Sequence, residues 1–288
     1  MIRLAVRCRP ELAERVLADL VELAPGGVEE DAGPGWVEYA IYGGPGELPA
    51  LPQLEAAVGG DVVEVTSTAV PDDWADRWQD FHKAISIADG RIVVRPSWEP
   101  RPAMDHAAGI DVIVDPGQAF GTGAHPTTRM CLEMLLELAD AGNARGPLAD
   151  WGTGSGVLAI AGAKLGFRPV IGCDHERAAL EAAAASSRAN EVHLDLVRVD
   201  LRRDPAPTAP TVTANLTARL LREVAVRVEE GPERVLCSGM LTSEVDEVAD
   251  AFAGSGLRER ERRSSGDWGA LLLERPASDR KAGWSGLA

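Results

Sequence analysis

The sequence contains no long apolar run. No stretch approaches the roughly 18 consecutive apolar residues that a membrane helix requires. The amino-terminal segment Met1–Arg7 is followed by charged residues rather than by an apolar core and a cleavage site, which is not typical of a secretory signal. We therefore expect a cytoplasmic protein with no membrane partner. Its 288 residues, 45% of them hydrophobic, are sufficient for two domains.

Patterns of paired metal ligands are also missing. The four cysteines, Cys8, Cys131, Cys173 and Cys237, are far apart in sequence, and none belongs to a Cys-x-x-Cys pair. The five histidines are equally scattered. This spacing argues against a zinc site and against a disulfide framework, so we expect reduced, partly buried thiols and no bound metal.

Positive charge is scarce, since the formal net charge is −16 at pH 7. A surface that binds a nucleic-acid backbone needs a predominance of lysine and arginine, so we expect no direct nucleic acid binding. The first 70 residues carry 12 acidic and four basic side chains. This charge suits a basic protein partner, although an acidic surface that serves only solubility remains an equal alternative.

Hydrophobic periodicity predicts a small amino-terminal domain over residues 1–70. Alternating or β-branched runs predict strands at Ile2–Cys8, Val28–Asp31, Trp36–Tyr42 and Val62–Val70. Helical spacing of apolar residues predicts helices at Pro10–Leu23 and Leu48–Val58. The resulting order is βαββαβ, which is the ferredoxin-like pattern.

The remainder of the chain is predicted to be an α/β domain. Residues 71–105 form a connector with a short helix over Asp72–His82 and a strand over Arg91–Arg95, and residues 106–276 alternate strand and helix. This alternation predicts a mostly parallel, Rossmann-like sheet with helices on both faces. The predicted strands are Ile110–Val114, Leu148–Trp151, Val170–Asp174, Leu194–Asp200, Val212–Leu216, Arg234–Ser238 and Ala270–Glu274. Residues 277–288 form a polar tail.

The strongest chemical signal is a glycine-rich turn between a predicted strand and helix. It runs DWGTGSG over residues 150–156, and the next strand ends at Asp174, about 20 residues on. That spacing is typical of a nucleoside site in which the acid accepts the ribose hydroxyls. The turn lacks the dinucleotide spacing of glycines, and Asp150 would repel a phosphate. S-adenosylmethionine, which is cationic and has no phosphate, fits better, and the turn resembles motif I of the class I methyltransferases.

A second segment, DPGQAFGTGAHPTT over residues 115–128, carries a more specific resemblance. It is similar to the signature of the ribosomal protein L11 methyltransferase family of the PrmA type. The similarity extends from the connector, through the predicted second strand, to Ala214-Asn215-Leu216 and Ser238-Gly239-Met240-Leu241. It covers roughly residues 1–275, and the family's substrate-recognition domain is ferredoxin-like.

The resemblance implies an enzyme that methylates amino groups, on lysine side chains or an amino terminus, of a large-subunit ribosomal protein. We expect it to act as a monomer. Asn215 and the backbone of Leu216 would orient the amine, and His125 would shape its loop rather than act as a base. The residues implied to contact S-adenosylmethionine are Phe120, Gly121, Thr128, Asp150, Gly152, Gly154, Asp174, Asp200 and Asn215.

Several positions depart from the family pattern. Thr217 and Arg219 add polarity after Asn215, and Trp151 is bulky for the cofactor loop. Two alternatives therefore stay open. The chain is either a related methyltransferase that acts on another protein lysine or a small amine, or a protein that binds S-adenosylmethionine or a basic partner without turnover.

Overall fold

A computed structural model describes residues 2–23, 28–43, 62–69, 82–102, 109–115, 123–228 and 231–279. The chain divides into two compact units, the first ending at His82 and the second beginning at Lys83. No helix in the described part of the chain is long and apolar enough to cross a membrane.

The first unit is built around a four-stranded antiparallel sheet. Its strands are β1 (Ile2–Cys8), β2 (Glu29–Gly33), β3 (Trp36–Gly43) and β4 (Val62–Ala69), in the order β2-β3-β1-β4. The helix α1 (Ala13–Leu23) follows a short 3-10 turn at Pro10–Leu12. This strand order is the ferredoxin-like one, as predicted. The helix predicted at Leu48–Val58 lies outside the described residues.

Sequence periodicity explains the core of this unit. Leu4, Val6 and Cys8 alternate along β1 and are buried, and Leu17 and Leu20 of α1 are buried as well. A strand places alternate residues on one face and a helix places residues three or four apart on one face. The helical period is therefore confirmed, whereas the strand alternation holds only in part, because Ala5 between Leu4 and Val6 is buried as well.

The second unit begins with a small three-stranded sheet. It contains β5 (Ile85–Ile87), β6 (Ile92–Arg95) and β7 (Ile110–Ile113), with β5 antiparallel and β7 parallel to β6. The sequence patterns did not predict β5, which has only three residues. The connector helix predicted at Asp72–His82, with Trp74, Trp78 and Phe81, lies outside the described residues apart from His82.

A seven-stranded sheet follows, in the order β10-β9-β8-β11-β12-β14-β13. All strands are parallel except β14, which is antiparallel to both neighbours. The strands are β8 (Leu148–Trp151), β9 (Val170–Asp174), β10 (Asp195–Arg198), β11 (Thr211–Asn215), β12 (Arg234–Leu241), β13 (Arg258–Ser265) and β14 (Trp268–Glu274). The helices are α2 (Pro126–Asp140), α3 (Val157–Leu165), α4 (Arg177–Ala189), α5 (Ala218–Ala225) and α6 (Val245–Gly254).

The strand order reverses between β8 and β11, which are neighbours in the sheet. From β8 the chain moves to β9 and β10 in one direction, whereas from β11 it moves to β12 in the other. Right-handed crossovers therefore place α3 and α4 on one face and α5 on the opposite face. A crevice opens at the carboxyl ends of β8 and β11, the usual ligand site of such sheets.

Burial explains which strands were predictable. Every residue of β8 and β9 is buried, so these central strands read as short apolar runs. The edge strand β13 reads RERERRSS and is mostly exposed, and the sequence patterns did not predict it as a strand. An edge strand tolerates such charge because one side of it faces solvent.

Candidate active site

The glycine turn after β8 adopts the conformation that its sequence requires. Gly152, Gly154 and Gly156 have φ angles of +68°, +52° and +84°, which residues with a side chain rarely adopt. Gly156 precedes the first residue of α3, and the backbone N–H of Thr153 donates to the carbonyl of Cys173 at 2.9 Å. The turn thus joins the ends of β8 and β9 and leaves no room there for side chains.

Asp174 ends β9 beside this turn. One of its oxygens accepts from the backbone N–H of Gly154 at 3.1 Å and the other from that of Glu176 at 3.0 Å. Nδ1 of His175 also lies 3.3 Å from the oxygen that accepts from Glu176. Each carboxylate oxygen offers two acceptor positions, so the oxygen that accepts from Gly154 keeps one for a ligand. The loop glycine and the acid predicted from the sequence therefore meet, as their spacing implied.

Asp150 is buried beneath the glycine turn. It is only 1% exposed, and its oxygens accept from the hydroxyls of Thr153 and Thr213, both at 2.7 Å. Burial raises the pKa of Asp150 to about 6, while these hydrogen bonds and one from the Ala159 backbone lower it. Because β8 is a central strand covered on both faces, Asp150 braces the turn from beneath, and its contact with the cofactor stays a prediction.

Asn215 ends β11 at the reversal point of the sheet. Its amide nitrogen donates to the hydroxyl oxygen of Thr128 in α2, at 3.1 Å. Its side-chain oxygen is buried and accepts no hydrogen bond from the described residues. A buried acceptor without a partner is costly, so it marks a place where a ligand donor fits.

Thr128 is completely buried, and its predicted contact with the cofactor stays a prediction. Its hydroxyl oxygen lies against the Asn215 amide. Since the amide nitrogen is engaged by Thr128, the amide oxygen of Asn215 must point the other way. The contribution of Thr128 to the site is to orient Asn215.

Leu216 lies between two glycines. A Cβ on Gly152 would be 2.3 Å from Cδ2 of Leu216, and a Cβ on Gly239 would be 2.4 Å from its carbonyl oxygen. The backbone N–H of Leu216 donates to the carbonyl of Ser238 at 3.0 Å. Among the described residues, none donates a hydrogen bond to the Leu216 carbonyl. Two unused acceptors therefore stand side by side in sequence, at residues 215 and 216.

His125 caps the amino terminus of α2. Its Nδ1 lies 2.7 Å from the hydroxyl of Thr127 and accepts from the Thr127 backbone at 3.4 Å, and its ring packs edge-on against Trp268 at 4.7 Å. Burial lowers the pKa of His125 to about 4. The ring is therefore neutral near pH 7, and its contacts support the predicted shaping role.

Asp200 is not placed at a strand end, because β10 stops at Arg198. Its carboxylate accepts from both the backbone and the guanidinium of Arg202, at 3.1 and 2.8 Å. It stabilises its own turn, and Arg202 lowers its pKa. Both of these bonds go to Oδ1, whereas Oδ2 lies 3.8 Å from Nε of Arg203, so the adenine contact stays a prediction. Phe120 and Gly121 lie outside the described residues.

Trp151 turns out to be a core residue. It is fully buried in the cluster formed by β8, β11 and β12, and its Nε1 donates to the carbonyl of Pro207 at 2.8 Å. Its bulk therefore does not enter the glycine turn.

Three residues beside the site were not assigned to it from the sequence: Ser238, Gly239 and Trp268. Only the resemblance of the Ser238–Leu241 segment to the family pointed toward Ser238 and Gly239.

The polar groups at this site suit a cationic nucleoside rather than a metal ion. No group of three or more histidine, cysteine, aspartate or glutamate side chains in the described residues is placed to hold a metal ion. The four cysteines are free and buried. A glycine cradle, a carboxylate and a neutral amide acceptor match the ribose and the positively charged part of S-adenosylmethionine.

The sheet order, the glycine turn after its first parallel strand and the acid that ends the second define a class I methyltransferase domain, which uses S-adenosylmethionine. Comparison with known proteins narrows the class. A family model described as "Ribosomal protein L11 methyltransferase (PrmA)" matches residues 50–276. The chain belongs to this family.

Individual members of this family are similar to the chain over most of its length. The chain is 38% identical over 238 residues to the ribosomal protein L11 methyltransferase of Syntrophotalea carbinolica, with 80% of this chain and 73% of that protein covered. It is 35% identical over 245 residues to that of Chloroflexus aurantiacus, with 73% and 71% covered. The crystal structure of the ribosomal protein L11 methylase from Lactobacillus delbrueckii subsp. bulgaricus superposes with a TM-score of 0.60 at 25% identity, covering 67% of this chain and 99% of that one.

Proposed function

We propose that this enzyme transfers methyl groups to amino groups of ribosomal protein L11, on lysine side chains or the amino terminus. The observation that carries the proposal is the pair of unused acceptors, the Asn215 side-chain oxygen and the Leu216 carbonyl, beside the glycine turn. Two acceptors at one point fit a group with two N–H donors. A primary amine is such a group.

The cofactor would be held by residues of β8 and β9. The Asp174 oxygen that accepts from Gly154 keeps an acceptor position for a ribose hydroxyl, and the bare backbone of Gly152 and Gly154 allows close approach. S-adenosylmethionine supplies an electrophilic methyl group with its own leaving group, so no metal or covalent intermediate is required. What remains for the chain is to orient the amine and to exclude water.

The amine must react in its neutral form, because only a neutral amine has a free lone pair. A lysine amine in water has a pKa near 10.4 and is mostly protonated at neutral pH. A partly buried site with neutral acceptors disfavours the ammonium form, since desolvation penalises the charge. Asn215 and Leu216 would each accept one N–H bond, which leaves the lone pair free for attack.

Ribosomal protein L11 is proposed as the substrate because the relatives of this chain are named for it. The acidic first 70 residues suit a basic protein, and we assign substrate recognition to this ferredoxin-like unit. The residues after Asn215 that depart from the family pattern give little support to a different methyl-accepting substrate. Arg219 is 77% exposed and pairs with Glu223, so its charge is directed to the surface. We also infer that the enzyme is cytoplasmic and acts as a monomer. Light scattering of the purified protein tests the oligomeric state.

The direct test is mass spectrometry of purified ribosomal protein L11 after incubation with this enzyme and S-adenosylmethionine. We expect mass gains in steps of about 14 Da, the exchange of a hydrogen for a methyl group, on lysine or the terminal amine. Calorimetry of cofactor binding accompanies it. Tight cofactor binding without any mass gain would refute L11 as the substrate but keep the methyltransferase. Absence of both would refute the cofactor assignment as well.

A further inference from the structure

Gly239 interrupts the pairing between β12 and β14. Ser238 pairs with Ala270 and Met240 pairs with Gly269, so Gly239 is an extra residue, a β-bulge, on the β12 side. Its φ angle is +90°. Bulges of this kind bend a strand locally and are frequent beside active sites.

The bulge is held on both sides. The Ser238 hydroxyl is buried and donates to the carbonyl of Gly269 at 2.7 Å, while the Ser238 carbonyl accepts from the Leu216 backbone at 3.0 Å. The position of Gly239 is thereby tied both to β14 and to the segment that follows β11.

Gly239 lies directly against the Leu216 peptide. A Cβ at position 239 would be 2.4 Å from the Leu216 carbonyl oxygen, 2.8 Å from its carbonyl carbon and 2.9 Å from its nitrogen. Contacts this short with backbone atoms cannot be relieved by a side-chain rotation. Any residue other than glycine would therefore displace the Leu216 peptide or cover its carbonyl oxygen.

We propose that Gly239 is a positioning residue for methyl transfer: its missing side chain keeps the Leu216 carbonyl oxygen in place and accessible to the acceptor amine. The inference rests on the proposed function, because it needs Leu216 to accept from that amine. It adds a residue on β12 to a site otherwise formed by β8, β9, β11 and α2.

The test compares Gly239→Ala with Gly146→Ala. Gly146 has the same φ of +90°, but a Cβ there would meet nothing within 4 Å. Both variants therefore place alanine at the same unfavourable φ, and only the first introduces the contact with Leu216. We expect Gly239→Ala to lower kcat about 100-fold, the size of effect caused by misplacing a reacting group by about 1 Å. The cofactor Kd should stay within about twofold, because Leu216 orients the amine.

Three results would overturn the proposal. They are a wild-type kcat in Gly239→Ala, an equal loss in Gly146→Ala, and a loss of cofactor affinity that matches the loss of turnover. If Gly239→Ala does not fold, Ser238→Ala serves instead, because it releases the anchor of the bulge. An unchanged kcat in Ser238→Ala would then refute the proposal, and a fall of about tenfold at constant cofactor Kd would support it.

The experiment distinguishes failure of the proposed substrate, L11, from failure of the role proposed for Gly239. Wild-type turnover on L11 reports on the substrate, whereas the ratio of variant to wild type, on whichever amine the wild-type enzyme methylates, reports on Gly239. A wild-type enzyme that ignores L11 but methylates another amine would therefore reject the substrate and still test the positioning residue.

Discussion

Asn215 shows how one side chain gains a chemical role from its neighbours. Its nitrogen is engaged by Thr128, so its oxygen is left as a buried acceptor without a partner among the described residues. Asparagine is suited to this because its two ends differ in kind, one donating and the other accepting.

We expect Asn215→Ala to lower kcat about 100-fold through lost orientation of the amine, with the fold intact. Single-turnover rates with saturating cofactor measure this. Asn143→Ala is the matched control, since Asn143 accepts one bond from Arg234 away from the site. Rates of wild-type size in Asn215→Ala would remove Asn215 from the mechanism.

His125 should make the enzyme sensitive to acid. Its pKa is about 4 in the folded protein, and about 6.5 is usual in an unfolded chain. Between these values the unfolded state binds a proton that the folded state does not, so stability is full above pH 6.5 and falls as the pH drops toward 4. The loss is at most about 3 kcal/mol.

His125→Asn should remove this acid sensitivity, because asparagine also caps helices but does not titrate. Thermal unfolding at pH 5 and pH 7.5 provides the measurement. His193→Asn, at an exposed histidine, is the control and should behave like the wild type. An identical pH dependence in His125→Asn and the wild type would disprove the assignment.

At the scale of elements, one asparagine joins the small sheet to the end of helix α4. The side chain of Asn190, just after α4, accepts from the N–H of Ile113 at 2.8 Å and donates to its carbonyl at 2.6 Å. It thus pairs with β7 as a neighbouring strand would. Strand β7 leads into the segment that resembles the family signature, so this contact sets where that segment starts.

Asn190→Ala should destabilise the protein by roughly 2 kcal/mol, because it leaves two backbone groups of Ile113 without partners. Urea unfolding measures the difference. Asn190→Asp keeps the acceptor but loses the donor, so an intermediate loss is expected. A loss below about 0.5 kcal/mol in Asn190→Ala, the lower end for a net hydrogen bond, would show that water replaces the contact.

At the scale of the whole molecule, charge should govern the encounter with substrate. A net charge of −16 attracts a basic protein over a distance that salt shortens. We expect KM for the protein acceptor to rise several-fold between about 50 and 500 mM salt, with the cofactor Kd nearly unchanged. Steady-state kinetics across that range, paired with calorimetry, measures both. A KM independent of salt would leave the acidic surface with a solubility role only.

The sequence by itself determined the order of most described strands and helices, though not β5 or β13, together with the glycine turn and the acid at Asp174. These features depend on local periodicity, on backbone conformations open to glycine and on spacing within one βαβ unit. Only the tertiary structure decided that Asp150 and Thr128 are buried supports, that Asp200 stabilises its own turn and that Gly239 meets Leu216. Those outcomes depend on contacts between strands distant in sequence, where burial and the available partners, rather than residue type, set what each side chain does.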